Sequence, residues 1–504
     1  MTDLIKTTSN APRSLGLMRV IEELGLQIPL PAVRSSVGTT WKTHIEGFTI
    51  AKQYPKNFAA DDLFANLKFA VRYEPIDLGV LRAAFQQLEP TVVAGWVRRE
   101  STGIYARKIW YLYELLTGTR LDIPDVAPTG YADLLNPKLQ FTARKQPSKR
   151  QRINDNLLGN RDYCPLIRRT PALEEWAAQK LHDETQKIVE QADPLILARA
   201  VNYLYTRETK SSFAIEGETV GKTRAERFVA VLERAADFDA TDKASFVRLQ
   251  NQIVDPRFAN DDWRSLQNYV GQTMSDYSEQ VHFVCPRPTD IGDLMHGWMR
   301  LVERLQNSDL DAVCAAAAMS FGFVFLHPFE DGNGRIHRFL IHHELARAHF
   351  APPKLVFPVS AVMLRERAAY DRVLESYAKT VLPFIEYELN AHGKLIVENE
   401  TAQLYRYWDA TAACEFLYFC IGETIRRDLR EELGFLKLFD GALQAIAEIV
   451  DLPDRRASLL ARLILQNRGT LSKNKRNAEF SILDDDEIAR IEQAIRALTT
   501  SDGE

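Results

Sequence analysis

His327-Pro328-Phe329-Glu330-Asp331-Gly332-Asn333-Gly334-Arg335-Ile336-His337-Arg338 follows directly on the apolar run Ala312–Leu326. That run has no charged residue, which reads as a helix buried on all sides. It is shorter than the roughly 20 residues a bilayer-spanning helix needs. Pro328 pushes its predecessor out of helical geometry, so the helix must end near His327. The negative end of a helix dipole favours an imidazolium there, which suits a base that keeps a proton once it has taken it. Phe329 is placed to anchor the loop in the core. Gly332-Asn333-Gly334 admits left-handed backbone angles, so successive N–H groups can form an anion-binding nest. A second helix is expected from near Arg335, with its N-terminus aimed at the same point. Arg335 and Arg338 share one face of that helix and offer two guanidinium forks to a polyphosphate. Asp331 adds a carboxylate, the hard-oxygen ligand that a phosphate-bound Mg²⁺ takes.

The segment resembles the signature of the Fic family, His-Pro-Phe-x-Asp/Glu-Gly-Asn-Gly-Arg-x-x-Arg, at every defined position. The resemblance implies a mainly α fold: a central helical core with a short β-hairpin flap, flanked by N- and C-terminal accessory domains. It implies transfer of AMP from ATP, with Mg²⁺, to a Ser, Thr or Tyr hydroxyl of a protein. His327 would be the base, Asp331 the Mg²⁺ ligand, and Gly332, Asn333 and Gly334 the phosphate cradle. Arg335 would bind the β-phosphate region and Arg338 the γ-phosphate. Phosphoryl-type transfer is mostly positioning and charge stabilisation, so the residue chemistry agrees.

Upstream, Ser212-Phe213-Ala214-Ile215-Glu216-Gly217 is similar to the family's inhibitory motif, Ser/Thr-x-x-x-Glu-Gly/Asn. Four-residue spacing puts Ser212 and Glu216 on one helical face. The resemblance implies an inhibitory helix near 206–217, with Glu216 paired to Arg338 in the space of the γ-phosphate. Downstream, Tyr370 stands where the family often has an aromatic near the adenine, but Asp371 and Ala378 depart from the usual residues. The expected flap lies near 278–284, around Ser278–His282, where an exposed edge strand would capture a target through backbone hydrogen bonds.

Other signals are weaker. Gly217–Thr223 has three residues between its glycines where a phosphate-binding P-loop needs four. His342, His343, Glu344 and His349 lack zinc-ligand spacing and read as a helix face. His337 reads as a packing or surface histidine. Ala143–Arg152 is basic without interleaved aromatics and reads as a solvated linker.

Three regions are expected: 1–170, 171–395 and 396–504. Ile104–Leu116 reads as a helix closed by Gly118, with Ile109, Leu112, Tyr113 and Leu116 in a core. Asp484 and Glu487 announce a last helix. The stretch Leu463–Phe480 with that helix suggests a winged-helix-like module, where Lys473, Lys475 and Arg476 make nucleic-acid contact a secondary reading beside protein or homo-oligomer contact.

The chain has 504 residues, 46% hydrophobic and 26% charged, with a formal net charge of −5. Collagen-like and largely disordered chains are excluded, and no global charge favours nucleic acid. Cys164, Cys285, Cys314, Cys414 and Cys420 form no Cys-x-x-Cys pair, which fits a reducing compartment. Met1–Leu15 has no apolar signal region, so a soluble cytoplasmic protein without membrane attachment is expected. Alternatives at the same site are transfer of another phosphate-containing group, AMP removal, or a nucleotide-sensing regulator.

Overall fold

The computed structural model describes residues 13–275, 279–390 and 393–501. The chain opens with β1 (Arg13–Leu15), α1 (Leu17–Leu24), β2 (Val33–Gly38), β3 (Lys42–Glu46) and β4 (Thr49–Pro55). These strands make one sheet in the order β1-β2-β4-β3, with only β2 and β4 parallel. Helices α2 (Leu63–Tyr73), α3 (Leu78–Gln86), α4 (Pro90–Arg99) and α5 (Ile104–Thr117) follow. Asp62 and Asp77 cap α2 and α3, accepting from the amides of Ala65 at 2.7 Å and Val80 at 3.0 Å. α5 stops at Gly118, whose φ of 76° is left-handed, and Ile109, Leu112, Tyr113 and Leu116 are buried in one core as expected.

Strands β5 (Ala132–Asp133), β6 (Gln146–Ser148) and β7 (Ile153–Asp155) form a second small sheet. The basic stretch Ala143–Arg152 is therefore not a linker. Arg150 reaches Glu114 on α5 at 3.1 Å and lies over the Trp110 ring, so tertiary partners order a segment whose composition reads as solvated.

The chain continues with α6 (Pro171–Ala178), α7 (Leu181–Gln191), α8 (Pro194–Ile215), α9 (Lys222–Glu233) and α10 (Lys243–Ile253). An antiparallel hairpin, β8 (Tyr269–Thr273) and β9 (Glu279–Val284), precedes α11 (Pro288–Gln306), α12 (Ala312–Leu326) and α13 (Asn333–Arg347). Only β9 overlaps the stretch expected for the flap, 278–284, of which Ser278 lies outside the described residues; the position of its partner strand β8 was not expected. Next come α14 (Val359–Arg365), α15 (Arg367–Val381), β10 (Tyr387–Leu389), β11 (Leu395–Val397), α16 (Ala402–Arg406) and α17 (Thr411–Glu423). A π-helical turn, Thr424–Leu429, leads into α18 (Arg430–Ile449), α19 (Asp454–Gln466), α20 (Lys473–Glu479) and α21 (Asp485–Ser501). The fold is mainly α. No helix among the described residues is long and apolar enough to cross a membrane.

Two compact units result. The first comprises the chain up to Lys180, Thr209–Phe350 and Met363–Cys420; the second comprises Leu181–Glu208, Ala351–Val362 and the chain from Ile421 on. Neither unit is a continuous stretch, unlike the three segments marked out along the sequence. At the centre of the first lies α12, with almost every side chain buried, between α11 and α13. In the second, α18, α19, α20 and α21 enclose Ile446, Leu460, Ile464, Phe480 and Ile491. The expected capping box is formed: Glu487 N–H donates to Asp484 Oδ1 at 2.8 Å, and Asp484 N–H to Glu487 Oε2 at 2.9 Å. The second unit has no strand among its described residues, so the hairpin that defines a winged helix has no counterpart there. Lys473 and Lys475 are exposed, whereas Arg476 is paired with Asp485.

Candidate active site

α12 begins at Asp311, whose carboxylate accepts from the amides of Val313 and Cys314, and ends at His327. His327 is left-handed, with φ 50° and ψ 56°, and its N–H still closes the helix on Phe323 O at 3.0 Å. This conformation is uncommon for a residue with a Cβ, and it turns the chain abruptly into the loop. Phe329 is fully buried and anchors that loop. Asn333 spans it: its Oδ1 accepts from Phe329 N–H at 3.0 Å, and its Nδ2 donates to Phe329 O at 2.8 Å.

The second helix starts at Asn333, two residues earlier than expected, because Gly332 takes the cap with φ 92°. Its first intrahelical bond runs from Ile336 N to Gly332 O. The amides of Asn333, Gly334 and Arg335 are thus the free donors of a helix start, aimed where an anion would lie. Gly334 has a steric reason to be glycine: a Cβ there would fall 2.1 Å from Glu216 Oε1.

Both arginines are 1% exposed. Arg338 donates from Nη2 to Glu216 Oε1 and Ser212 O, each at 2.7 Å, and from Nε to Ser212 Oγ at 2.8 Å. Ser212 and Glu216 share one face, as their spacing indicated, and both meet the Arg338 guanidinium; the Glu216 pair is the one the resemblance implied. Arg335 donates to Asp331 Oδ1 at 2.6 Å and also pairs with Glu218 Oε1 at 3.0 Å. Glu218 was not among the expected residues. It lies beyond the end of α8, where helical spacing no longer predicts direction. Its other oxygen takes Arg224 at 3.0 Å, and Arg224 and Arg335 both lie over the Phe213 ring. Arg367 donates to Ile215 O at 2.8 Å and fixes the end of α8 that carries Glu216.

Glu216, His327, Glu330, Asp331, Gly332, Asn333, Gly334 and Arg335 line one cavity of about 70 Å³. Pockets that enclose small ligands measure roughly 300–1,000 Å³, so the cavity as it stands is narrow for a nucleotide. Arg338 and Ser212 stand directly behind Glu216.

The electrostatics correct one expectation. Burial, and next the Arg264 guanidinium, push His327 down to about 4, which outweighs the helix end, so the ring is neutral at pH 7. Its Nδ1 lies 3.3 Å from Val324 O, and a carbonyl only accepts. The proton therefore sits on Nδ1, and Nε2 is left as the basic atom. Burial pushes Glu216 up, but Arg338 and then Arg335 hold its carboxyl below the usual range. Tyr370 does not line the cavity. It is 3% exposed and is pushed up to about 12, chiefly by burial. It packs in the core against the rings of His337 and Phe416. His337 is fully buried against Phe321, a packing histidine.

Residues 241–345 match the family described as Fic/DOC. Among curated proteins, the chain is similar to the protein adenylyltransferases Fic of Drosophila melanogaster and Drosophila yakuba. These are 29% and 30% identical over 165 residues, which is 32% of this chain and 31% of each relative. The chain thus spans about a third of the length of the curated relatives it matches. A solved Fic family protein from Desulfovibrio desulfuricans aligns over 61% of this chain and 87% of its own, at 21% identity and a TM-score of 0.38.

Proposed function

We propose that this chain, whose residues 241–345 match the Fic/DOC family, is a protein adenylyltransferase that moves AMP from ATP to a hydroxyl side chain and is held down by Glu216. One observation carries the reading: the neutral His327, Asp331, the N-terminus of α13 and Arg335 all face one cavity. His327 Nε2 takes the proton of the incoming hydroxyl. The hydroxyl oxygen bonds to the α-phosphorus, the α–β phosphoanhydride bond breaks, and pyrophosphate leaves with that electron pair. The amides of Asn333, Gly334 and Arg335 bind phosphate oxygens, and the Arg335 guanidinium offsets their charge.

The donor set fits Mg²⁺: Asp331 presents a carboxylate 40% exposed toward the cavity, beside backbone N–H groups suited to phosphate. When bound there, Mg²⁺ would neutralise phosphate charge. Asp331 would hold it once its bond to Arg335 is given up. Glu216 and a γ-phosphate compete for Arg338, because both need the same guanidinium edge. The carboxylate also abuts Gly334 and narrows the cavity, which supports a low basal activity. Because Glu216 lines the cavity with His327, it also has the position to orient a water for AMP removal.

The test is intact-mass analysis of the chain and of added protein after incubation with ATP and Mg²⁺. A gain of one AMP is expected. A gain of one phosphate would replace this reading with a kinase, and loss of AMP from a pre-modified protein would reveal the reverse reaction.

A further inference from the structure

Arg264 is 3% exposed and lies in the connection between α10 and β8. Its guanidinium makes three hydrogen bonds, all to main-chain carbonyls: Nε to His327 O at 2.7 Å, Nη1 to Leu266 O at 2.8 Å and Nη2 to Pro286 O at 2.5 Å. Its own N–H donates to Pro328 O at 2.8 Å. No carboxylate stands within ion-pair distance of it among the described residues. A buried cation with no carboxylate in contact, and only Glu330 acting from farther off, is costly to keep. Here it is solvated by carbonyls from three places: the end of α12 with the loop after it, its own connection at Leu266, and the exit of the β8–β9 hairpin.

The neighbouring bonds run the same way. Gln267 Nε2 donates to Cys285 O at 2.7 Å, and Gln250 Nε2 to Asp331 O at 3.3 Å. Trp263 packs edge-on against Phe329, with centroids 5.0 Å apart. His327 needs such support, since a left-handed non-glycine backbone persists only where its surroundings over-determine it. The planar fork of arginine suits three carbonyls approaching from different sides, and the flexible ammonium of lysine does not match it.

We propose that Arg264 is a positioning residue that fixes the His327 main chain in register with the β8–β9 hairpin. This inference rests on the reading in which His327 is the base and the hairpin holds the target segment. One side chain then sets the distance between a hydroxyl presented along the hairpin and the imidazole that deprotonates it. None of the groups proposed to hold ATP, which are Asp331, the start of α13, Arg335 and Arg338, bonds to Arg264, so ATP binding is expected to be separable.

The experiment compares the full chain with Arg264→Gln and Arg264→Lys in two arms. In hydrogen–deuterium exchange, Arg264→Gln should speed exchange at least about tenfold in both 327–329 and 284–287, with α12 and α13 still protected. In steady-state AMP transfer, it should lower kcat about 10–100-fold and leave KM for ATP within about twofold. Arg264→Lys, which keeps the cation and fewer of the bonds, should recover part of kcat. If Arg264→Gln does not fold, the lysine variant carries both arms at smaller amplitude. Faster exchange confined to 263–266, an unchanged kcat, or a KM for ATP that rises in parallel would each overturn the proposal. If the parent chain transfers no AMP, the reading of His327 as base falls, and the exchange arm alone decides whether Arg264 links the two segments.

Discussion

Glu216 and Glu74 stand in the same compact unit, each as the first residue past the end of a helix, α8 and α2. A helix C-terminus disfavours a carboxylate in both places. Their environments then diverge. At Glu216 the Arg338 guanidinium answers the charge, and the carboxyl stays ionised. Glu74 is 2% exposed and has the Leu17 amide at 2.9 Å, the neighbouring Ser35 and the weaker field of Lys52, but no guanidinium in contact. Burial pushes it up to about 7. Its shape is fixed by contact, since a Cβ on Gly16 would fall 2.4 Å from its Oε1. A carboxylate paired with a buried cation can be exchanged for another anion, which is what the proposed autoinhibition requires. One held by shape and amide bonds has nothing to exchange, and its ionisation only costs stability.

The largest expected effect tests whether the Glu216 region is catalytic at all. His327→Ala should lower AMP transfer by on the order of 10²–10⁴ while nucleotide binding survives, since the imidazole acts on the incoming hydroxyl. Labelled-AMP incorporation at near-parental rate would remove His327 as the base.

The next effect belongs to Glu74. Its folded pKa lies above the unfolded value of 4.5, so the native state holds the proton more tightly. That stabilisation is full below about pH 4.5 and disappears as pH rises through about 7. The difference is on the order of 3 kcal/mol. Glu74→Gln keeps the shape without the charge, so Tm at pH 8 should rise above wild type, and the decline of Tm between pH 5 and 8 should flatten. AMP transfer should not change. Parallel Tm–pH curves for the two chains would refute the assignment.

Glu216→Gly should raise automodification and target modification about 10–100-fold, which corresponds to about 1.4–2.7 kcal/mol of bias released. Equal incorporation by parent and variant would end the autoinhibition reading. Adding Arg338→Ala should cancel the gain; full activity in the double variant would show that Arg338 does not grip the phosphate. Ser212→Ala should act in the same direction by only a few-fold, because Glu216 still reaches Arg338 without it. A gain as large as that of Glu216→Gly would mean that the hydroxyl, rather than the carboxylate, holds the arginine.

Much of the site was legible because its instructions are local. Pro328 ends α12, the glycines permit the turn, and Arg335 and Arg338 follow from helical spacing. Ser212 and Glu216 were found by their resemblance to the family's inhibitory motif, with the four-residue interval placing them on one helical face, and the last helix by its capping box. Three features were not legible. Glu218 lies just past a helix end, where periodicity stops. The N-terminal sheet is built from short strands such as Arg13–Leu15, too brief to show an alternation. Arg150 looks like one charge in a solvated run until Glu114 and Trp110 are brought to it.

The sequence by itself determined the loop, the two helices around it and the chemistry of the groups they carry, because caps, turns and helical faces are set within a few residues. The tertiary structure alone decided the state of those groups. His327 is neutral, and not the imidazolium its helix end suggests, because it is desolvated beside Arg264, 63 positions away in the chain. Arg338 is occupied because Ser212 and Glu216, more than 120 positions away, close on it. Tyr370 is a core residue because His337 and Phe416 enclose it. Desolvation and charge pairing depend on which distant segments pack together, and local spacing carries no record of that.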